Sequence, residues 1–144
     1  MSSTAGSTNK SSAVVVDASA IFDLITNGAR APQLRSRLLR EDVILYAPAV
    51  LDLEILQTAR KYVLRGEMDA NDAAAAFASY ATLVIARFAI DPLFGRIWSL
   101  RDNFTAYDAA YVALAEAYRI PLITLDARLA KAASLTTANV ELFA

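Results

Sequence analysis

The sequence predicts an α/β fold, with helices flanking a central, mostly parallel β-sheet, and three observations lead there. Two short apolar runs, AVVV at 13–16 and LITL at 122–125, pass straight into helical segments, as strands buried on both faces do. Strand-like and helical segments alternate from Ala13 to the last residues. The length, 144 residues, suits one domain with a real core, and no internal repeat divides it.

Taken in order, Ala13–Val16 is the first strand, ended by Asp17, and Ala18–Asn27 a helix closed by Gly28. Pro32–Arg40 is a second helix with Pro in its first turn. Val43–Tyr46 is a strand stopped by Pro48, and Ala49–Arg65 a long helix ended by Gly66. Asp69–Ala81 is an alanine-rich helix. Leu83–Ile90 contains a strand, with continued helix as the competing reading. Pro92–Arg101 and Thr105–Arg119 are helices, Leu122–Leu125 a strand, Asp126–Ala133 a short helix and Val140–Phe143 a last strand. The polar MSSTAGSTNKSS, residues 1–12, has no apolar segment and reads as a disordered leader, not a signal peptide; the rest, 13–144, is one domain. Hydrophobic residues make up 56% of the chain, yet no apolar run approaches the ~20 residues of a membrane span. A cytoplasmic location is the expectation.

Two absences narrow the chemistry. With no cysteine there are no disulfides, thiolate nucleophiles or Cys-based zinc sites. With no histidine the usual general base, the Ser-His-Asp triad and most zinc and copper ligation are gone. What is left is carboxylates, hydroxyls, Lys, Arg and hard cations. The net charge of −1 argues against a broad basic surface, although eleven of the fourteen basic residues are Arg, the type suited to forked phosphate contacts.

Asp17 and Asp126 each follow an apolar strand and precede a helix. Strands of a parallel sheet share one carboxyl edge, where ligands bind, so these two acids are expected at one rim although more than 100 residues separate them. Asp108 falls in the first turn of a helix, and pattern alone does not bring it to that rim. Helix capping is the competing reading for all three, and Thr105-Ala-Tyr-Asp108 has the form of a capping box with Asp in place of Glu. Capping and metal binding are compatible, since a carboxylate has several lone pairs. On the long helix Glu54 lies in a polar stripe with Val50, Gln57, Thr58 and Lys61, whereas Asp52 falls among Leu56, Ala59 and Val63. A buried acid needs a partner, and periodicity does not choose between the two.

Four stretches together resemble the PIN-domain family, and more narrowly its VapC-type toxins, from Ala13 to the end of the chain. VVVDASA at 14–20 resembles the family's first strand and acid, and PAVLDLE at 48–54 its second motif, whose acid is the Glu. RDNFTAYDAAYVALAEA at 101–117 resembles the third, with Asp108 as its acid and Thr105 as the accompanying hydroxyl, and LITLDARLAKA at 122–132 the fourth, with Asp126. The polar leader departs from the pattern without touching these motifs.

The resemblance implies a three-layer fold around a five-stranded parallel sheet, and a catalytic, metal-binding set of Asp17, Glu54, Asp108 and Asp126. It selects Glu54 over Asp52. It implies an Mg²⁺- or Mn²⁺-dependent endoribonuclease, a homodimer, and a cognate antitoxin that blocks it. Ser19 and Thr124 fall where relatives carry a site hydroxyl; a helix-start hydroxyl and an ordinary strand residue are the alternatives. Asn103 either contacts substrate or shapes the loop before Thr105.

Four gathered carboxylates raise one another's pKa, and a hard cation with oxygen ligands relieves this. Such a cation activates water, polarises a phosphoryl oxygen and steadies the leaving oxygen, so RNA hydrolysis to a 5′-phosphate and a 3′-hydroxyl is expected. Asp17 and Asp108 are the expected direct ligands of one or two ions, with Glu54 and Asp126 completing the site or acting through water. Two other classes compete. A phosphoacceptor receiver wants adjacent acids after its first strand and a late Lys, where this chain has Ala-Ser-Ala and Asp126. A silent binding module keeps the fold without the reaction. The apolar content of Ala70–Ile90 and Phe94–Trp98 fits ordinary helix core, or a dimer or antitoxin groove.

Overall fold

The structure, a computed structural model, describes residues 11–144. Most of the leader, residues 1–10, lies outside the described residues. Ser12 already belongs to the first strand, opposite Val43, so the sheet starts one residue before Ala13.

Five strands form one sheet: β1 (Ser12–Val16), β2 (Val43–Pro48), β3 (Ile85–Phe88), β4 (Leu122–Thr124) and β5 (Val140–Leu142). The order is β3-β2-β1-β4-β5 and every pairing is parallel, not merely most of them. β1 is central because it is the most apolar segment, and Val14, Val15 and Val16 are essentially sealed from solvent. Pro48 does not stop β2 but ends it, opposite Phe88 of β3 and past the last β1 partner, Tyr46. There its missing N–H leaves no gap in the β1 ladder.

Helices α1 (Ala18–Ile25), α2 (Ala31–Leu38), α3 (Leu51–Leu64) and α4 (Ala70–Thr82) join β1 to β2 to β3 and pack on one another. α5 (Phe94–Ser99), α6 (Ala106–Tyr118) and α7 (Ala127–Ala133) serve the return to β4 and β5. Right-handed crossovers outward from β1 and back again put these two sets on opposite faces, giving three layers. α6 lies against β1, β2 and β4 and is buried without interruption from Ala109 to Ala115. That accounts for its alanines, which let helix and sheet approach closely.

Most boundaries shift by a residue or two, and two of the shifts have clear local causes. α1 stops at Ile25 because Asn27 turns left-handed at φ 54° and the Gly28 N–H returns to the Asp23 carbonyl at 2.8 Å. A Cβ at Gly28 would stand 1.9 Å from Asp23 Oδ1, so a side chain there would push the Asp23 carboxylate off the Arg30 N–H that it accepts at 2.9 Å. The expected helix Pro92–Arg101 is a 3₁₀ turn, Asp91–Leu93, followed by the six-residue α5, because the Leu93 N–H bonds Ile90 and the Leu100 N–H closes on Arg96 and Ile97. α3 ends at Gly66 as expected, with φ 72°.

Ile123 in β4 is fully buried between β1 and β5. The Ile123→Ala variant is expected to lose about 2–5 kcal/mol of stability, read from its urea midpoint at unchanged m-value.

Candidate active site

The parallel sheet turns its carboxyl edge to one side, and all four sequence-marked acids reach that edge at the start of a helix. Asp17 caps α1 directly after β1, and Asp126 caps α7 just beyond β4. Glu54 and Asp108 lie in the first turns of α3 and α6. The convergence of Asp108, open on pattern alone, follows from the topology. The segment from β3 to Thr105 stays at the carboxyl rim, so α6 begins there and runs back toward the start of β4.

Asp17 is the most constrained of the four. It is 5% exposed; its Oδ1 accepts from Ser19 Oγ at 2.7 Å and the Ala20 N–H at 2.9 Å, and its Oδ2 from Thr124 Oγ1. The two hydroxyls also lie 3.3 Å apart, and each accepts a backbone N–H of the β4–α7 turn, Leu125 to Ser19 and Asp126 to Thr124, both at 3.0 Å. Ser19 and Thr124 therefore both hold the Asp17 carboxylate in place. Burial pushes the Asp17 carboxyl up to about 6 against these hydrogen bonds, with a smaller push from Asp126.

Glu54 is half-buried and receives the Tyr111 hydroxyl on Oε1 at 2.6 Å. Burial raises its pKa, the Tyr111 bond opposes this, and Asp108 adds repulsion. Asp108 is likewise raised by burial and then by Asp126, with Arg128 and Thr105 opposing. Thr105 is the N-cap of α6, taking the Asp108 N–H on its Oγ1 at 3.1 Å. Asp126 spends Oδ1 on the Arg128 and Leu129 N–H groups at 2.9 and 3.1 Å, so the capping reading holds for it and leaves Oδ2 free for other work. Arg128 NH2 stands 3.9 Å from both Asp108 Oδ2 and Asp126 Oδ2, on a side chain that is 79% exposed.

Asn103 is exposed on the turn after α5 and makes no side-chain hydrogen bond among the described residues. Asp52 is half-buried, and of the residues it falls among Ala59 is buried, Val63 half-buried and Leu56 exposed. Its partner is Arg87, held bidentate at 2.8 and 2.9 Å, with the Tyr80 hydroxyl at 2.6 Å, and these hold its carboxyl below the usual range. Sequence reading missed Tyr111 and Arg128. Tyr111 lies one turn beyond Asp108 on α6 and Arg128 two residues after Asp126, so helical spacing was the available signal.

Among the described residues no three acids close into a group that holds an ion unaided. The carboxylates are linked pairwise instead, Asp17 to Asp126, Asp126 to Asp108 and Asp108 to Glu54, each feeling its neighbour's charge. Their donor set still fits a hard divalent cation: it is all oxygen, three of its members are pushed toward protonation, and the nearby cation Arg128 is distant and solvated. Mg²⁺ keeps several waters, so it does not need a closed cage of protein ligands.

The PIN domain family profile matches residues 14–135. Ribonuclease VapC1 of Mycobacterium tuberculosis is 44% identical over 123 residues, 84% of this chain and 91% of its own. Ribonuclease VapC9 of the same organism is 39% identical over 116 residues, 81% of this chain and 87% of its own. Among solved structures, PAE2754 from Pyrobaculum aerophilum superposes with a TM-score of 0.65 at 21% identity, covering 90% of this chain and 83% of its own. VapC20 of M. tuberculosis, described as a sarcin-ricin loop cleaving toxin, gives 0.63 at 17% identity, covering 83% and 94%. These likenesses show the same fold.

The raised Asp17 carboxyl has a consequence for stability. The folded state keeps its proton up to about pH 6, whereas an unfolded Asp releases it near 3.8, so metal-free stability falls as pH rises across that interval. In EDTA at pH 7.5 the Asp17→Asn variant is expected to be more stable than the parent, by up to about 3 kcal/mol. The gain should vanish below about pH 4, where both states of the parent are protonated. A less stable variant at pH 7.5 would mean that the ionised carboxylate holds the β1–β4 junction together.

Proposed function

The chain belongs to the PIN-domain family, in its VapC-type branch, and from that premise we propose that it is a metal-dependent endoribonuclease, the toxin of a toxin–antitoxin pair. One observation carries this reading: four carboxylates reach the carboxyl edge of the sheet at the starts of four helices, with no histidine or cysteine to supply other chemistry.

Asp17, Glu54, Asp108 and Asp126 are the residues that would hold Mg²⁺ or Mn²⁺. Bound there, the cation supplies activated water and charge neutralisation for in-line hydrolysis of an RNA phosphodiester, leaving a 5′-phosphate and a 3′-hydroxyl. The chain's own groups prepare the place. Ser19, Thr124 and the Ala20 N–H fix the Asp17 carboxylate, and Tyr111 holds one oxygen of Glu54 and leaves the other open. Thr105 sets the start of α6 and thereby Asp108. The N-terminal ends of α1, α3 and α6 point partial positive charge at the pocket, which favours both carboxylates and an incoming phosphate. Arg128, exposed and shared between Asp108 and Asp126, is placed to meet that phosphate.

The partners that go with this reading are RNA as substrate, an antitoxin protein and a second copy of the chain. A solved relative at 9% identity is titled VapBC2 from Rickettsia felis bound to a promoter DNA fragment. Leu53, Leu56 and Leu64 on α3 and Val84 before β3 leave apolar surface for protein contacts. No helix among the described residues is long and apolar enough to cross a membrane, and the cytoplasm is where we place the reaction.

Asp108→Asn is the decisive variant, because it removes a site charge and leaves the Thr105 cap of α6 intact. It is expected to lower Mg²⁺-dependent RNA cleavage by at least about a hundredfold at unchanged circular dichroism, as would EDTA with the parental chain. Cleavage by this variant at the parental rate sinks the site assignment.

A further inference from the structure

We propose that Tyr111 is the positioning residue that sets how tightly the four acids hold a divalent cation: its hydroxyl ties Glu54, on a helix of one layer, to the helix of the opposite layer that carries Asp108. The inference rests on the metal-dependent reading above and adds to it a residue that is not itself an acid.

The starting observation is a polar atom where packing asks for none. From Ala109 to Ala115 α6 is buried without interruption, and every side chain in that run except Tyr111 is Ala, Val or Leu. Tyr111 itself is 1% exposed. A phenylalanine ring would fill the same space, so core packing does not account for the hydroxyl. A phenol has one proton to donate, and this one goes to Glu54 Oε1 at 2.6 Å, its only hydrogen bond among the described residues. A buried donor left unpaired is costly, so the bond constrains the residues at both its ends.

Glu54 depends on that bond more than the other capped acids depend on any one of theirs. The Asp17 carboxylate accepts three hydrogen bonds and the Asp126 carboxylate two. The Glu54 carboxylate accepts one, and Tyr111 gives it. Glu54 is also half-buried on a long, flexible side chain, and it feels the negative charge of Asp108. Burial and repulsion both favour its swinging out into water. Tyr111 holds it in.

The backbone beneath Glu54 is fixed by other means. Asp52, in the same first turn, is clamped by Arg87 of β3 and the Tyr80 hydroxyl of α4. α3 packs with α1 and α4 on one face of the sheet, and α6 covers the other. Tyr111 lies one turn beyond Asp108 on α6, so its bond to Glu54 crosses the sheet edge and refers the Glu54 carboxylate to the helix that bears Asp108. Loss of the hydroxyl should therefore release the Glu54 side chain without moving α3. Groups that orient a metal ligand from behind typically change affinity by about 10–100-fold when removed.

The test measures Mn²⁺ binding to the full chain without RNA, from the free ion's electron paramagnetic resonance signal, in the parent, Tyr111→Phe, Glu54→Gln and the double variant. Tyr111→Phe keeps the ring and is expected to weaken Mn²⁺ binding about tenfold. Glu54→Gln should weaken it at least as much. Adding Tyr111→Phe to Glu54→Gln should cost less than about twofold more, because the hydroxyl acts through that carboxylate. In RNA cleavage, Tyr111→Phe should raise the Mg²⁺ concentration for half-maximal rate about tenfold and leave kcat at saturating Mg²⁺ within about threefold of the parent.

Parental Mn²⁺ affinity in Tyr111→Phe, or an undiminished loss when it is added to Glu54→Gln, overturns the proposal and leaves the ribonuclease reading standing. So does loss of the native circular dichroism in Tyr111→Phe, which would make the hydroxyl a requirement of folding. The expected Mn²⁺ pattern in a chain that cleaves no RNA upholds the role of Tyr111 and removes the ribonuclease reading alone. A parental chain that binds no Mn²⁺ overturns both.

Discussion

The junction between β1 and β4 is the constraint on which the rest of the structure depends. A single buried carboxylate, Asp17, sits where the two central strands end and takes hydrogen bonds from Ser19, Thr124 and the Ala20 N–H. Burying an acid is costly unless its oxygens are satisfied, and here residues from both ends of the chain satisfy them. Ser19 and Thr124 also accept the N–H groups of Leu125 and Asp126, so the turn that carries the fourth acid is built on the side chains that hold the first. The strand order changes direction at this point, β1 to β2 and β3 on one side and β4 and β5 on the other. Such a crevice is where parallel α/β sheets bind ligands.

Around that junction the site is made from helix starts. Each acid sits in a cap or first turn, positions where carboxylates are favoured by free N–H groups and the helix dipole. This resolves the apparent competition between capping and function: Asp17 and Asp126 do cap, with oxygens or lone pairs to spare. The arrangement is nevertheless strained in charge. Burial and mutual repulsion raise Asp17, Glu54 and Asp108, and Tyr111 and Arg128 answer only part of that. A divalent cation would complete such a balance, which is what the proposed function asks of these acids.

Much of the fold was legible in the sequence because its strands announce themselves. AVVV and LITL are too apolar to face water on either side, and the runs after them read cleanly as helices. What misled was local. Pro48 looks like a strand terminator, but β2 carries it at its end, past the last β1 partner. The run from Pro92 to Arg101 reads as one helix until its hydrogen bonds are counted, when a 3₁₀ turn separates from α5. Asp52 and Glu54 are the sharpest case. Both are acids in the first turn of one helix, and only the neighbours tell them apart, Arg87 and Tyr80 for the first and Tyr111 for the second.

The sequence by itself narrowed the class of chemistry and marked the candidate acids. Absent histidine and cysteine leave oxygen ligands, and strand–acid–helix punctuation places Asp17 and Asp126 at one edge. Local pattern holds that much because caps, turns and buried strands are short-range choices. Only the tertiary structure decided that Asp108 joins them, and that Tyr111 and Arg128 attend the site. Those facts depend on where helices from distant parts of the chain begin relative to the sheet, which crossover handedness and packing set and sequence spacing does not.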